Sequence, residues 1–172
     1  MWTVHKNLDQ VRPTSELLVH MRVHKSLAKV ESPNRAFLHT HPTELISLSH
    51  LPDFETEEKF NHVIWSMHPE VKIMVPRGIG LILYALPGSE RLAQATADAV
   101  GDGRALALWQ YHGIVAVAPT LQQAFDLVYI VNKAAKMVLL CRSTGIAPKG
   151  LGKPELRELV KVAFILAQGF WP

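Results

Sequence analysis

The stretch Ala36-Phe37-Leu38-His39-Thr40-His41-Pro42-Thr43 says more about the fold than any other part of this 172-residue chain. An apolar run that ends in two histidines predicts a short strand, and Pro42 predicts a helix that begins just after it. Residues i and i+2 of a strand project from the same face, so the imidazoles of His39 and His41 can meet one metal ion. Neutral imidazole suits Zn²⁺. Two surface histidines also share this spacing by chance, so the pair alone leaves both interpretations open.

A third ligand is needed, and two places in the sequence offer one. His112-Gly113 lies between two predicted strands, 105–109 and 114–118, and a histidine at such a hairpin can point at a ligand. His20 and His24 form a rival pair with the i, i+4 spacing of a helical metal site, but Met21 stands where the zincin pattern requires Glu. We therefore interpret the rival pair as packing or solvated residues.

Glu16 occupies the start of a predicted helix that runs to about residue 29. Thr14 and Ser15 precede it, and either hydroxyl can cap the free backbone N–H groups of a helix N-terminus. A glutamate at this position is explained by capping or by the helix dipole without any catalytic role. The spacing alone therefore favours a structural role for Glu16.

A second carboxylate, Glu70, follows Pro69 and precedes an apolar run. That run, 71–75, and the run 80–85 predict two strands that form a hairpin around residues 76–78. In this setting Glu70 is most simply an exposed acid at a turn.

The whole chain predicts one α/β domain over residues 1–172, with helices covering a sheet that is at least partly antiparallel. Apolar residues make up 48% of the chain, which excludes a disordered protein. The net charge is +3 without a basic cluster, so no nucleic-acid partner is expected. A single cysteine, Cys141, and the lack of an apolar leader or span predict a cytoplasmic protein that binds no membrane.

The motifs together form an ordered series that resembles the class II aldolase/adducin family. The series is Pro13-Thr14-Ser15-Glu16-Leu17, His39-Thr40-His41-Pro42-Thr43, Glu70, Pro76, Pro87-Gly88, Trp109 with His112-Gly113, and Pro119-Thr120-Leu121. Within the family, the motifs are most similar to those of enzymes that cleave L-rhamnulose 1-phosphate to dihydroxyacetone phosphate and L-lactaldehyde. A fuculose-phosphate aldolase, a ribulose-phosphate epimerase, an inactive fragment and a non-catalytic adducin-like module remain alternatives.

The resemblance implies a three-layer αβα fold around a mixed, mostly antiparallel sheet. It also implies one Zn²⁺ held by His39, His41 and His112, and a homotetramer whose active sites lie at subunit interfaces. Glu16 would be a fourth ligand at rest and would handle the proton at C3 of the substrate. Glu70 would act on the C4 hydroxyl at a site shared with a neighbouring subunit.

The resemblance further implies that the hydroxyls of Thr14 and Ser15 hold part of the substrate phosphate of a ketose 1-phosphate. Family members carry a substantial segment before the motif that begins at Pro13, where this sequence has twelve residues. We therefore expect an N-terminally truncated aldolase whose sheet would continue into strands that this sequence lacks, which leaves an unpaired, apolar edge. The strand residues of that sheet are predicted to include Leu38, Ile73, Leu81, Leu106 and Val115. Such an edge predicts either pairing with another copy or weak phosphate binding.

Overall fold

The computed structural model describes the backbone of residues 13–167 and the side chains of residues 13–162. Within that range the helices are α1 (Leu17–Lys29), α2 (Thr43–Ser49), α3 (Glu57–Met67), α4 (Pro69–Met74), α5 (Glu90–Gly101), α6 (Leu121–Ser143) and α7 (Lys153–Ala167). The strands are β1 (Ala36–Thr40), β2 (Ile79–Ile82), β3 (Leu106–Trp109) and β4 (Gly113–Ala118). None of these helices is long and apolar enough to cross a membrane.

The four strands form one sheet in the order β1-β4-β3-β2. β4 pairs antiparallel with both β1 and β3, whereas β2 pairs parallel with β3. The β3–β4 hairpin is tight, because Trp109 pairs directly with Gly113. This register places the C-terminal end of β1 beside the hairpin, so His39 is paired with Val115.

Helices cover both faces of the sheet, which gives three layers. Leu108 and Ile114 belong to a core that the sheet shares with α2, α3, α4 and α6. Their neighbours Ala107 and Val115 belong to a second core shared with α1 and α5. Complete burial of a side chain such as Leu108 stabilises the fold by about 1.5–3 kcal/mol. The predicted α/β fold, three-layer with a mixed, mostly antiparallel sheet, is confirmed.

The strand predicted over 71–75 is wrong, because these residues lie in and just after helix α4. Pro69 occupies the first turn of α4, where its missing N–H leaves no helical bond unmade. Val71, Lys72 and Val75 are buried while Ile73 is only partly buried. Burial at i, i+1 and i+4 is that of a helix face, since a strand would bury residues i, i+2 and i+4 together. The predicted hairpin at 76–78 is therefore a helix-to-strand turn, and Ile73 is not a sheet residue.

The start of α1 also differs from the prediction, because no side chain caps it. The Thr14 hydroxyl accepts a hydrogen bond from the backbone N–H of Glu16 at 3.3 Å, one residue before the helix begins. Thr14 therefore fixes the turn that leads into α1.

Polar side chains of α3 pair with backbone groups of β2, the outermost strand on its side of the sheet. The N–H of Ile79 donates to Asn61 Oδ1 at 2.7 Å, and Asn61 Nδ2 donates to the Ile79 carbonyl at 2.9 Å. The N–H of Leu81 donates to the Glu57 carboxylate at 3.1 Å. The expectation of an unpaired edge is therefore wrong for these backbone groups, since side chains satisfy them from within the chain.

Candidate metal centre

The β3–β4 hairpin and the end of β1 bring His39, His41 and His112 together. Their ligand nitrogens all lie within 4.8 Å of one another, and the Nε2 atoms of His39 and His41 are 3.0 Å apart. Among the residues that the structure describes, one group of three or more His, Cys, Asp or Glu side chains is close enough to share a metal ion, and it consists of these three histidines. Three imidazoles that converge in this way form a donor set suited to a divalent transition metal.

His39 is held in one orientation by the sheet. Its Nδ1 lies 3.1 Å from the carbonyl oxygen of Ile114, so Nδ1–H donates there and Nε2 keeps its lone pair for a metal. Its ring packs on the buried Trp109 indole, with centroids 4.3 Å apart. Burial lowers the pKa of His39 to about 4, against the opposing effect of the Ile114 hydrogen bond and with a smaller lowering from His41 and His112. A neutral imidazole is the form that binds metal.

Gly113 has no side chain, and this leaves room for the imidazole rings of His39 and His41. A Cβ at this position would lie 2.6 Å from Cδ2 of His41, 2.7 Å from the carbonyl oxygen of Thr40 and 3.0 Å from Cε1 of His39. A backbone atom cannot move aside as the end of a flexible side chain can. The glycine that follows His112 is therefore a steric requirement of the histidine cluster.

Two buried polar atoms near the cluster lack hydrogen-bond partners: Nδ1 of His112 and Oε2 of Glu16. Burial lowers the pKa of His112, His41 lowers it further, and the nearby Glu16 carboxylate opposes both. Glu16 is only 7% exposed. A buried carboxylate oxygen or ring nitrogen without a partner is rare, because its desolvation is unfavourable, and a metal ion would satisfy such atoms. The residues present therefore fit a bound metal.

Thr14 and Ser15 each make one hydrogen bond with Glu16. Both residues are exposed, and the Ser15 hydroxyl donates to Oε1 of Glu16 at 3.4 Å. One carboxylate oxygen of Glu16 is thus hydrogen-bonded, while the other, Oε2, has no partner.

Glu70 is not part of this cluster. It lies in the first turn of α4, its side chain is 65% exposed, and its Oε2 lies 4.0 Å from Nδ1 of His68. The rival histidines of α1 do not complete a group of three ligands within the described residues. His20 packs on Phe37 with ring centroids 4.2 Å apart, and burial is the main cause of its lowered pKa.

One supporting residue could not be identified from the sequence. Thr96 of α5 is fully buried, and its hydroxyl accepts a hydrogen bond from Nε1 of Trp109 at 2.9 Å while donating to the Leu92 carbonyl. It therefore fixes the indole on which His39 packs. No local signal marks this threonine, because its partner comes from a different layer of the fold.

Comparison with known proteins places this arrangement in a family. The model of the Class II Aldolase and Adducin N-terminal domain matches residues 2–139. The chain belongs to this family. A crystal structure of a sugar-phosphate aldolase from Thermotoga maritima superimposes with a TM-score of 0.72 at 34% identity, over 81% of this chain and 58% of that chain. The family resemblance read from the sequence motifs is confirmed.

Curated relatives carry a more specific name. The rhamnulose-1-phosphate aldolase of Bacteroides thetaiotaomicron is 39% identical over 158 residues, which cover 92% of this chain and 58% of that protein. The rhamnulose-1-phosphate aldolase of Listeria monocytogenes serotype 4b (strain F2365) is 29% identical over 88% of this chain and 55% of that protein. The chain thus spans little more than half the length of these relatives.

Proposed function

We propose that this chain carries the zinc site of an aldolase that cleaves L-rhamnulose 1-phosphate to dihydroxyacetone phosphate and L-lactaldehyde. The observation that carries the proposal is the convergence of His39, His41 and His112 beside the unpartnered oxygen of Glu16. The names of the curated relatives support the reaction and the sugar. We place the protein in the cytoplasm, as a single domain that acts as a homotetramer.

The three histidines would hold Zn²⁺ as neutral ligands, which leaves the full positive charge of the ion available. Such an ion would supply Lewis-acid stabilisation of negative charge on the substrate oxygens during cleavage of the C3–C4 bond. We assign to Glu16 the transfer of the proton at C3. Its burial keeps bulk water away, and the Ser15 hydroxyl orients one of its oxygens.

Glu70 is assigned to the proton of the C4 hydroxyl. Its exposed position on α4 supports action at the site of a neighbouring subunit rather than at the histidines of its own chain. Thr14 and Ser15 are assigned to the substrate phosphate, since both hydroxyls are exposed next to Glu16. An interface site of this kind is consistent with the proposed homotetramer.

The proposal is tested by proton exchange at C3 of dihydroxyacetone phosphate in deuterated water, followed by NMR on the zinc-loaded chain. This half-reaction needs the metal site and Glu16 but not the sugar pocket. We expect exchange in the parent chain and a rate lower by roughly 10²–10⁴-fold in Glu16→Gln, with zinc content unchanged. Full exchange in that variant would remove Glu16 from the mechanism.

The sugar is tested separately by release of dihydroxyacetone phosphate from L-rhamnulose 1-phosphate and from L-fuculose 1-phosphate, with L-ribulose 5-phosphate tested for epimerisation. The proposal expects the first substrate to be preferred. Preferential turnover of either other sugar would assign the chain to a different activity in the same family.

A further inference from the structure

The turn that carries His112 contains a strained residue. Tyr111 has a φ of +68°, in the left-handed region that non-glycine residues rarely adopt. It is the third residue of the four-residue turn that closes where the N–H of His112 donates to the carbonyl of Trp109 at 3.0 Å. Turns with a positive φ at this position normally use glycine. Strain of this kind persists only where the surrounding structure holds it, and it is concentrated at functional sites.

The group that holds Tyr111 comes from helix α2. The backbone N–H of Tyr111 donates to the hydroxyl of Ser49 at 3.1 Å, and that hydroxyl donates in turn to the carbonyl of Ile46 at 2.7 Å. Ser49 is 6% exposed, so its hydroxyl has little access to other partners. The Tyr111 ring also packs on His50, with centroids 4.5 Å apart. The last turn of α2 therefore fixes the backbone immediately before His112.

The same helix is tied directly to the other two histidines. α2 begins at Thr43, two residues after His41, and its buried Leu45 and Leu48 hold it against the sheet. Helix α2 thus follows His41 at its first residue. At its last residue, Ser49, it holds the turn that carries His112. The hydrogen bond from Tyr111 to Ser49 therefore links the turn before His112 to the helix that follows His41.

We propose that Ser49 and Tyr111 are positioning residues for the metal site: the Ser49 hydroxyl holds Tyr111 in the left-handed conformation that aims His112 at the ion. The inference rests on the proposed role of His112 as a ligand. Loss of residues that orient a metal ligand typically lowers metal affinity by about 10–100-fold. Neither residue needs to touch the metal or the substrate for this effect.

The experiment measures Zn²⁺ affinity by competition with a chelator, and thermal unfolding of the metal-free protein, for the parent chain and Ser49→Ala. We expect affinity to fall by about 10–100-fold in Ser49→Ala. The matched control is Ser66→Ala, because Ser66 is also a buried helical serine whose hydroxyl donates to a carbonyl three residues earlier, that of Val63. The control should lose comparable thermal stability and no affinity.

A double-mutant cycle tests the route through Tyr111. Glycine adopts a positive φ without strain, so Tyr111→Gly makes the turn less dependent on Ser49. In that background Ser49→Ala should lower affinity by about threefold or less. A lower Tm with unchanged affinity in Ser49→Ala, or an equal loss in both backgrounds, would overturn the inference. Zn²⁺ binding by the parent chain is measured first, because a parent chain that binds no Zn²⁺ would overturn the proposed function itself.

Discussion

The two halves of the proposed catalytic machinery lie in very different surroundings. His39, His41 and His112 converge within one chain beside a buried Glu16, whereas Glu70 stands at the surface of α4 with 65% of its side chain exposed. Antiparallel pairing builds the first group, because β4 lies next to both β1 and β3. Nothing in the described part of the chain brings Glu70 to it. The histidine cluster can therefore be tested on this chain alone, while the role proposed for Glu70 requires a second surface.

Removal of a ligand should have the largest effect. We expect His39→Ala to weaken zinc binding by roughly 10³-fold or more, because the two remaining histidines give the ion too few protein ligands. Elemental analysis after dialysis gives the bound zinc per chain. His20→Ala is the matched control, since it removes a histidine that packs on Phe37 outside the cluster. Loss of zinc in the control, with none in His39→Ala, would instead support the pair on α1.

A steric change at the cluster should come next. Gly113→Ala places a Cβ against the Thr40 carbonyl, and we expect about 1–3 kcal/mol of lost stability. Displacement of the rings should also weaken zinc binding by about 10–100-fold. The control is Gly145→Ala, where no atom lies within 4 Å but φ is +80°. That variant should lose about 1–2 kcal/mol of stability and no zinc affinity. Equal affinity in both variants would contradict the steric account.

The metal-free chain should lose stability on acidification. The pKa of His39 is lowered from 6.5 to about 4 by burial, so between these values the unfolded chain binds a proton that the folded chain does not. The free energy of unfolding should therefore fall as the pH falls from about 6.5 to about 4. Chemical denaturation at several pH values measures the slope, which should be shallower in His39→Asn. The same slope in both proteins would show that His39 titrates normally.

The smallest effect is expected at Glu70. Because this side chain is exposed and remote from the histidine cluster, Glu70→Gln should change zinc affinity and C3 proton exchange by less than about twofold. Cleavage of the full substrate should still be reduced, since Glu70 is assigned to the C4 hydroxyl. A variant that keeps C3 proton exchange but loses cleavage would separate the role of Glu70 from that of the histidine cluster and Glu16. Loss of exchange in Glu70→Gln would show that the halves are not independent.

The convergence of His39, His41 and His112 could be predicted from local patterns taken together with the family resemblance. A strand that ends in His-X-His before Pro42 and a hairpin that carries His112-Gly113 are both signalled within a few residues of sequence. The helix α4 was missed because the apolar run after Glu70 is too short for its periodicity to separate a helix from a strand. Pro69 at the first turn was the available signal.

Contacts between distant parts of the chain could not be predicted in the same way. The hydrogen bond from Tyr111 to Ser49 joins residues 62 positions apart. The hydrogen bonds between Asn61 and the backbone of β2 depend on how α3 packs against the sheet. No turn motif or spacing encodes such contacts. They follow from the three-layer fold, and the fold must be known before they can be seen.

X-ray absorption at the zinc edge of the reconstituted parent chain shows whether His39, His41 and His112 of one chain bind a single metal ion together. We expect one Zn²⁺ per chain with three imidazole nitrogens at about 2.0–2.1 Å and no sulfur ligand. A first shell with fewer than three imidazoles, or one that is unchanged in His112→Ala, would contradict it.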